Sequence, residues 1–384
     1  MGTVFEAKKG DSAMPATLRA ALLLLFLTVF SDLVFAASQF LPAARYSLRN
    51  KSIFVAVGDF NGDGILDLAT CGENPLGGSA YSILLGNGDG TFQRAHTYSD
   101  GGAYGIAVAD LNGDGKLDLV MDGPGPVVVA LGNGDGTFQK SISYPAAMSS
   151  YGLAVGDFNG DGKVDVVITD QYRQGVDLLL GNGDGTLGPP IFSGPLGSFP
   201  SDVIVADFNR DHKLDIATSN IGDDTIAVAL GNGDGTFQPA TKYTLNGMPS
   251  SLVSADFNRD GKLDLVTAIG NSIVFLPGNG DGTFGSTTQS AFNASLPYVA
   301  GVGDFNHDGY LDVAVADRQA QDLELALGLG DGSFLDGGSY ALGGNHPLNG
   351  TVADFNHDGW PDVAVPDFAT RNLSVLINKG RTTD

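Results

Sequence analysis

The sequence predicts an all-β fold: a seven-bladed β-propeller of four-stranded antiparallel blades, its last blade completed by the N-terminal strand. Three observations carry this expectation. A nine-residue acidic element, D-x-N-x-D-x-x-x-D, recurs seven times, beginning at Asp59, Asp110, Asp157, Asp207, Asp256, Asp304 and Asp354, with successive starts 47 to 51 residues apart. A second element, close to L-G-N-G-D-G-T-F, follows the first six copies and ends at Phe92, Phe138, Leu187, Phe237, Phe284 and Phe334. The segment at 39–46 (QFLPAARY) looks like the strand that the seventh repeat lacks, by comparison with 237–243 (FQPATKY).

The chain opens on a targeting segment. Residues 20–30 (AALLLLFLTVF) are an apolar run preceded by Lys8, Lys9 and Arg19 and followed by Val34-Phe35-Ala36, a small-residue cleavage site. Residues 1–36 therefore read as a secretory signal peptide, and 37–384 as a single propeller. Met14 is an alternative start that tightens the signal. An uncleaved anchor is the rival reading, but Asp32 interrupts the apolar run well short of the roughly 20 residues a membrane span needs. The expected location is secreted or extracellular, with periplasmic or cell-surface placement as variants and no stable membrane insertion after cleavage.

Each repeat reads as four short strands bounded by Gly, Asn and Asp. In the first, 54–60 precedes the acidic loop and 66–70 follows it; 81–85 leads into the G-N-G-D-G turn and 91–98 leaves it. A four-stranded meander cannot bury both faces alone, so copies must stack. A linear solenoid would also stack them but leaves the displaced strand at 39–46 without a purpose. The first strands are built of small apolar residues (Val55-Ala56-Val57-Gly58, Ile106-Ala107-Val108-Ala109), suited to the crowded innermost position. Phe60, Leu111, Phe158, Phe208, Phe257, Phe305 and Phe355 recur at the second loop position and are expected to pack blade against blade. Cys71, the single cysteine, rules out an internal disulfide framework and reads as a small residue beside a strand.

Forty-four acidic residues against 20 basic ones give a formal net charge of −24. Nucleic acid and anionic membranes are disfavoured as partners, and cations favoured. Three aspartates in each of seven loops make up 21 of the 44 acidic residues. Crowded like charges are costly without cations, and hard oxygen donors at positions 1, 3, 5 and 9 suit calcium, which takes 6–8 oxygens. Magnesium, which keeps its waters, is disfavoured. The expected side-chain ligands are Asp59, Asn61, Asp63 and Asp67; Asp110, Asn112, Asp114 and Asp118; Asp157, Asn159, Asp161 and Asp165; Asp207, Asn209, Asp211 and Asp215; Asp256, Asn258, Asp260 and Asp264; Asp304, Asn306, Asp308 and Asp312; Asp354, Asn356, Asp358 and Asp362. The expected backbone ligands are the position-7 carbonyls of Ile65, Lys116, Lys163, Lys213, Lys262, Tyr310 and Trp360. Up to seven structural Ca²⁺ would bring −24 to −10. Solvated Asx turns are the competing reading of the same loops. The fourth loop carries His212 where the others have glycine and is expected to be the weakest site. The G-N-G-D-G elements read as hairpin turns rather than metal ligands.

Asp59-Phe60-Asn61-Gly62-Asp63-Gly64 and its copies, with the Gly-Asn-Gly-Asp-Gly-Thr-Phe turns, resemble the FG-GAP/VCBS repeat family, and the blades resemble those of the integrin alpha-chain N-terminal propeller. The resemblance spans roughly residues 39–380. It implies a seven-bladed propeller with calcium in its hairpin loops, in a family that includes adhesion receptors, lectin-like proteins and propeller regions of secreted enzymes. It does not specify a ligand.

Strand alternation puts the acidic loops and the G-N-G-D-G turns on one face. The loops after the second and fourth strands, which vary between repeats, lie on the other. Identical residues serve the shared scaffold, so a ligand is expected on the variable face. Tyr104, Tyr151 and Tyr298 precede or begin innermost strands there and are the candidate ligand residues. No H-E-x-x-H, G-x-S-x-G or P-loop motif is present. His307 and His357 read as solvated loop residues. The expected function is an extracellular binding or adhesion module for protein or glycan, with no catalytic residue assigned. The alternative is a hydrolase or lyase acting on extracellular polysaccharide.

Overall fold

The computed structural model describes residues 40–146 and 149–380; the expected signal peptide, 1–36, and Met14 lie outside them. Twenty-eight strands form seven four-stranded antiparallel sheets, and no described residue is helical. Six sheets are consecutive meanders. The first runs Lys51–Gly58, Asp67–Glu73, Ser79–Leu84 and His96–Tyr98. The seventh breaks the order. Thr351–Ala353, Asp362–Asp367 and Asn372–Leu376 are joined by Ala44–Ser47, which pairs antiparallel with Asn372–Leu376 in the register Tyr46↔Leu373. The displaced strand is therefore where the sequence places it, and Phe40 extends the pairing through a bridge to Asn378.

Side chains at the blade seams close the ring. The ring of Phe60 meets Phe138 of the next blade at 5.6 Å between centroids, Phe158 meets Phe237 at 5.7 Å, Phe208 meets Phe284 at 5.6 Å and Phe257 meets Phe334 at 5.8 Å. At the closure, Phe355 of the last blade meets Phe92 of the first at 5.4 Å. The last blade has no turn phenylalanine, and Phe40 of the N-terminal segment takes its place against Phe305 at 6.0 Å. The two leucine exceptions, Leu111 and Leu187, fall in one cluster with each other. Aromatic pairs of this kind contribute about 0.5–1.5 kcal/mol each beyond their burial.

Two local features differ from the sequence expectation. The outermost strand of the first blade covers only His96–Tyr98, not 91–98; Phe92 makes an isolated bridge to Gly86 and turns inward against Phe355. A short outer strand leaves little unpaired edge to template association. Cys71 lies within the second strand, fully buried in the cluster around Tyr81 and Met121, rather than beside it.

Candidate functional site

The acidic loops are folded by their own side chains. In the first, the two carboxylate oxygens of Asp59 accept the backbone N–H groups of Gly62 (2.8 Å), Asp63 (3.2 Å) and Gly64 (2.8 Å). Asn61 Oδ1 accepts from the Asp63 N–H at 3.0 Å, and Asp63 Oδ1 from the Ile65 N–H at 2.8 Å. The path needs left-handed backbone at Gly62 and Gly64, with φ of 73° and 81°. His212 follows it at φ 65°, and its N–H still reaches Asp207 at 2.8 Å. Side chains beyond glycine are strained in this region.

The position-9 aspartates do something the sequence did not disclose. Asp67 is fully buried, and its two oxygens accept the N–H groups of Phe60 (2.9 Å) and Gly86 (2.8 Å). It thereby ties the acidic loop to the first glycine of the G-N-G-D-G turn, which puts both elements on one face as strand alternation requires. Glycine is required at that point, because a Cβ on Gly86 would sit 2.3 Å from the Leu66 carbonyl oxygen. The pattern repeats at Asp118, Asp165, Asp215, Asp264 and Asp312, with Asn378 in place of glycine for Asp362. The recurrence of the same first glycine in six turns was the available signal. The turn aspartates are engaged within their own turns: Thr91 donates its N–H and hydroxyl to Asp89, which lowers the Asp89 pKa.

Among the described residues no group of three or more His, Cys, Asp or Glu side chains already stands in a metal-holding arrangement. The chemistry of the donor set fits a hard cation: the loop donors are oxygen, and the innermost carboxylate is buried beside two others. Burial, opposed by the Gly86 and Phe60 hydrogen bonds and reinforced by Asp63 and Asp59, pushes Asp67 up to about 6. Burial, with Asp308 and Asp304 adding repulsion, pushes Asp312 up to about 8, and Asp362 reaches about 7 for the same reasons. A cation relieves that penalty. In three loops a lysine ammonium reaches the position-5 carboxylate instead: Lys116 to Asp114 at 3.5 Å, Lys163 to Asp161 at 3.4 Å and Lys262 to Asp260 at 3.1 Å. These half-exposed pairs are worth little individually.

Position-4 side chains lace neighbouring loops together in the second half of the ring. The guanidinium groups of Arg210 and Arg259 donate to the Gly261 and Gly309 carbonyls of the following loops. His307 is more than a solvated residue: its ring stacks on Trp360 at 3.5 Å, and its Nε2 lies 3.2 Å from the Gly359 carbonyl.

The opposite face holds a cavity of about 840 Å³. It is lined by loops after second strands and by the starts of first strands, and by none of the acidic loops or G-N-G-D-G turns. Tyr104, Tyr151 and Tyr298 all line it. The rings of Tyr104 and Tyr151 stack on each other at 4.5 Å and 6°. Phe199, Met248 and Leu296 add exposed apolar surface. These three stand 49 and 48 residues apart, each directly before a proline (Phe199-Pro200, Met248-Pro249, Leu296-Pro297), a periodic signal that sequence reasoning missed. The lining carboxylates are Glu73 and Asp202. Glu73 pairs with Lys51 at 3.6 Å. Asp202 accepts from the N–H groups of Val203 and Leu252 at 2.9 Å, and burial pushes it up to about 6. Behind the wall, Asp122 is buried and accepts from the Ser150 hydroxyl; desolvation pushes it up to about 6, with a smaller contribution from Asp202.

The FG-GAP-like repeat model matches residues 59–121, 119–168, 157–218, 219–267, 256–315 and 304–365. No curated protein matches the chain. Among solved structures, it is similar to an Agrocybe aegerita lectin described as specifically recognising non-reducing terminal N-acetylglucosamine, with 19% identity, a TM-score of 0.55 and 86% of each chain covered. It is similar to BBS1N, solved in complex with ARL6DN and soaked with lead, at 12% identity and a TM-score of 0.56 over 91% of this chain and 99% of that one. A functionally unknown protein from Desulfotomaculum acetoxidans DSM 771 shares 14% identity at a TM-score of 0.54, over 76% and 85% of the two chains. At these identities the likeness shows the fold alone.

Proposed function

This chain belongs to the FG-GAP-like repeat family, and from that premise we propose that it is an exported, calcium-stabilised module that binds an extracellular protein or glycan at the mouth of its central channel. The carrying observation is the division of faces. The repeated residues lie on one side, and a cavity lined by stacked tyrosines lies among the variable residues on the other. A largely apolar concavity with a few polar groups is the general form of a binding site.

Calcium has a scaffold role in this reading. The loop aspartates and asparagines hold the ion, and the ion offsets the repulsion around each buried position-9 carboxylate. The N-terminal apolar run supports export, and among the described residues no helix is long and apolar enough to cross a membrane. The sugar recognition reported for the Agrocybe aegerita lectin supports the glycan half of the proposal.

The test is a binding screen of the calcium-loaded protein against glycans and extracellular proteins, repeated with Tyr104→Ala, Tyr151→Ala and Tyr298→Ala. Loss of affinity at unchanged melting temperature is the expected result. Unchanged affinity in all three variants would remove the mouth from the binding site. Turnover of a bound polysaccharide that disappears in Asp202→Asn would convert the reading to an enzyme.

A further inference from the structure

We propose that the channel mouth selects acidic glycans, with the guanidinium of Arg318 taking a sugar carboxylate; this rests on the mouth being the binding site. The seven blades provide an internal comparison. The residue just after each second strand is Asn74, Gly123, Gln171, Ile221, Gly270, Arg318 or Phe368, and the last five line the cavity. Arg318 is the one Arg or Lys among the cavity's lining residues, in a protein with a formal charge of −24.

Its side chain is half-buried and has no hydrogen-bond or ion-pair partner among the described residues. The adjacent carboxylate is committed elsewhere: Asp317 accepts the N–H groups of Ser295 (2.8 Å), Leu296 (3.3 Å), Gln319 (2.8 Å) and Ala320 (3.2 Å). The two lining carboxylates are also engaged, Glu73 by Lys51 and Asp202 by two backbone N–H groups. His346 and Asn349 of the next blade line the same cavity, and neither side chain has a described partner. The unsatisfied donors of the lining, Arg318 above all, thus favour an acceptor-rich anion. A guanidinium meets a carboxylate through two parallel N–H donors, which gives geometry as well as charge.

The rest of the lining identifies the carrier of that carboxylate. Tyr104 and Tyr151 cover one face of each other, which leaves the outer face of the stacked pair, with the ring of Tyr298 and the hydroxyl edges, to suit the apolar face and hydroxyl rim of a pyranose. The cavity volume of about 840 Å³ lies within the roughly 300–1,000 Å³ of small-ligand sites. It suits a short oligosaccharide better than a folded partner, which needs about 800 Å² of matching surface.

The experiment measures binding of the calcium-loaded protein to an array of uronic-acid oligosaccharides, the same sugars with their carboxyl groups reduced to alcohols, and a set of acidic peptides. The expected result is binding to at least one acidic sugar, weakened tenfold or more by carboxyl reduction, by Arg318→Gln and by Tyr151→Ala. Arg318→Lys should recover only part of the affinity. Calcium count and melting temperature of Arg318→Gln should match the parent, because its side chain holds nothing in the fold. Sugar binding that depends on Tyr151 but not on Arg318 or the carboxylate overturns this inference and leaves the mouth intact. Binding indifferent to Arg318 and to all three tyrosine substitutions overturns both readings. Capture of acidic peptides alone, or of no acidic sugar, also overturns the glycan assignment.

Discussion

Phe305 shows how one side chain serves the whole ring. It is fully buried, it meets Phe40 from the other end of the chain, and its carbonyl accepts from the Asn378 side chain at 3.0 Å. Phe305→Ala leaves a cavity at the seam and is expected to cost about 3–5 kcal/mol, read as a lower denaturant midpoint. Asp122 gives a pH signature. Burial holds its folded value at about 6, above the ordinary carboxylate value of 3.8, so the folded state binds that proton more tightly than the unfolded chain. The resulting stabilisation is full below 3.8 and is lost as pH rises through 6. With calcium saturating, Asp122→Asn should therefore gain on the parent by up to ~3 kcal/mol between pH 4 and pH 7. A difference independent of pH, from denaturant unfolding, would put the titration elsewhere.

At the scale of one hairpin, the acidic loop and its turn behave as a unit because a single carboxylate bridges them. Asp256 accepts the N–H groups of Asp260 (3.1 Å) and Gly261 (2.9 Å), and Asp264 accepts those of Phe257 and Gly278. Asp256→Ala or Asp260→Ala should remove one bound calcium and lower the melting temperature. Tyr104→Ala and Tyr151→Ala, on the opposite face, should leave the calcium count unchanged. Metal analysis of the four variants decides the matter, and calcium loss in a tyrosine variant would contradict the separation of faces. The strand Ala44–Ser47 is the other unit with a distinct role. A chain starting at residue 49 lacks both the outer strand of the last blade and Phe40. Asn372–Leu376 then becomes an open edge. Faster proteolysis within the seventh blade and a lower melting temperature are expected.

Across the whole molecule the acidic loops add up. Each calcium site that is loaded in the folded state and absent in the unfolded one stabilises by RT ln(1 + [L]/Kd), and seven independent sites accumulate. Chelation should lower the melting temperature substantially, and added calcium should restore it. An unchanged melting curve with metal removal verified by elemental analysis would assign the loops to backbone turn chemistry alone. The side chains that lace adjacent loops, from Arg210 round to His307, run only through the later blades. The first three loops carry glycine at the corresponding position, so they are expected to exchange calcium faster in a stopped-flow chelator experiment.

The ring was legible in the sequence because its information is periodic. Seven copies fix the number of blades, the two loop elements in each repeat give four strands per blade, the displaced strand at Ala44–Ser47 follows from the incomplete last repeat, and alternation of strand direction separates the two faces. The sequence also placed Tyr104, Tyr151 and Tyr298 at the starts of innermost strands, where the cavity is found. What tertiary structure alone decided is which of the variable side chains meet. Phe199, Met248 and Leu296 recur one repeat apart, each before a proline, but Asp202 and Arg318 have no like residue at the matching places of the other blades, so the repeat fixes positions and not the joint chemistry; ring closure brings these side chains to one rim. The same holds for His307 on Trp360, whose contact spans two blades. Repetition records what every blade must do to fold. The unique residues at the mouth acquire their joint chemistry only when closure brings the variable loops within reach of one another.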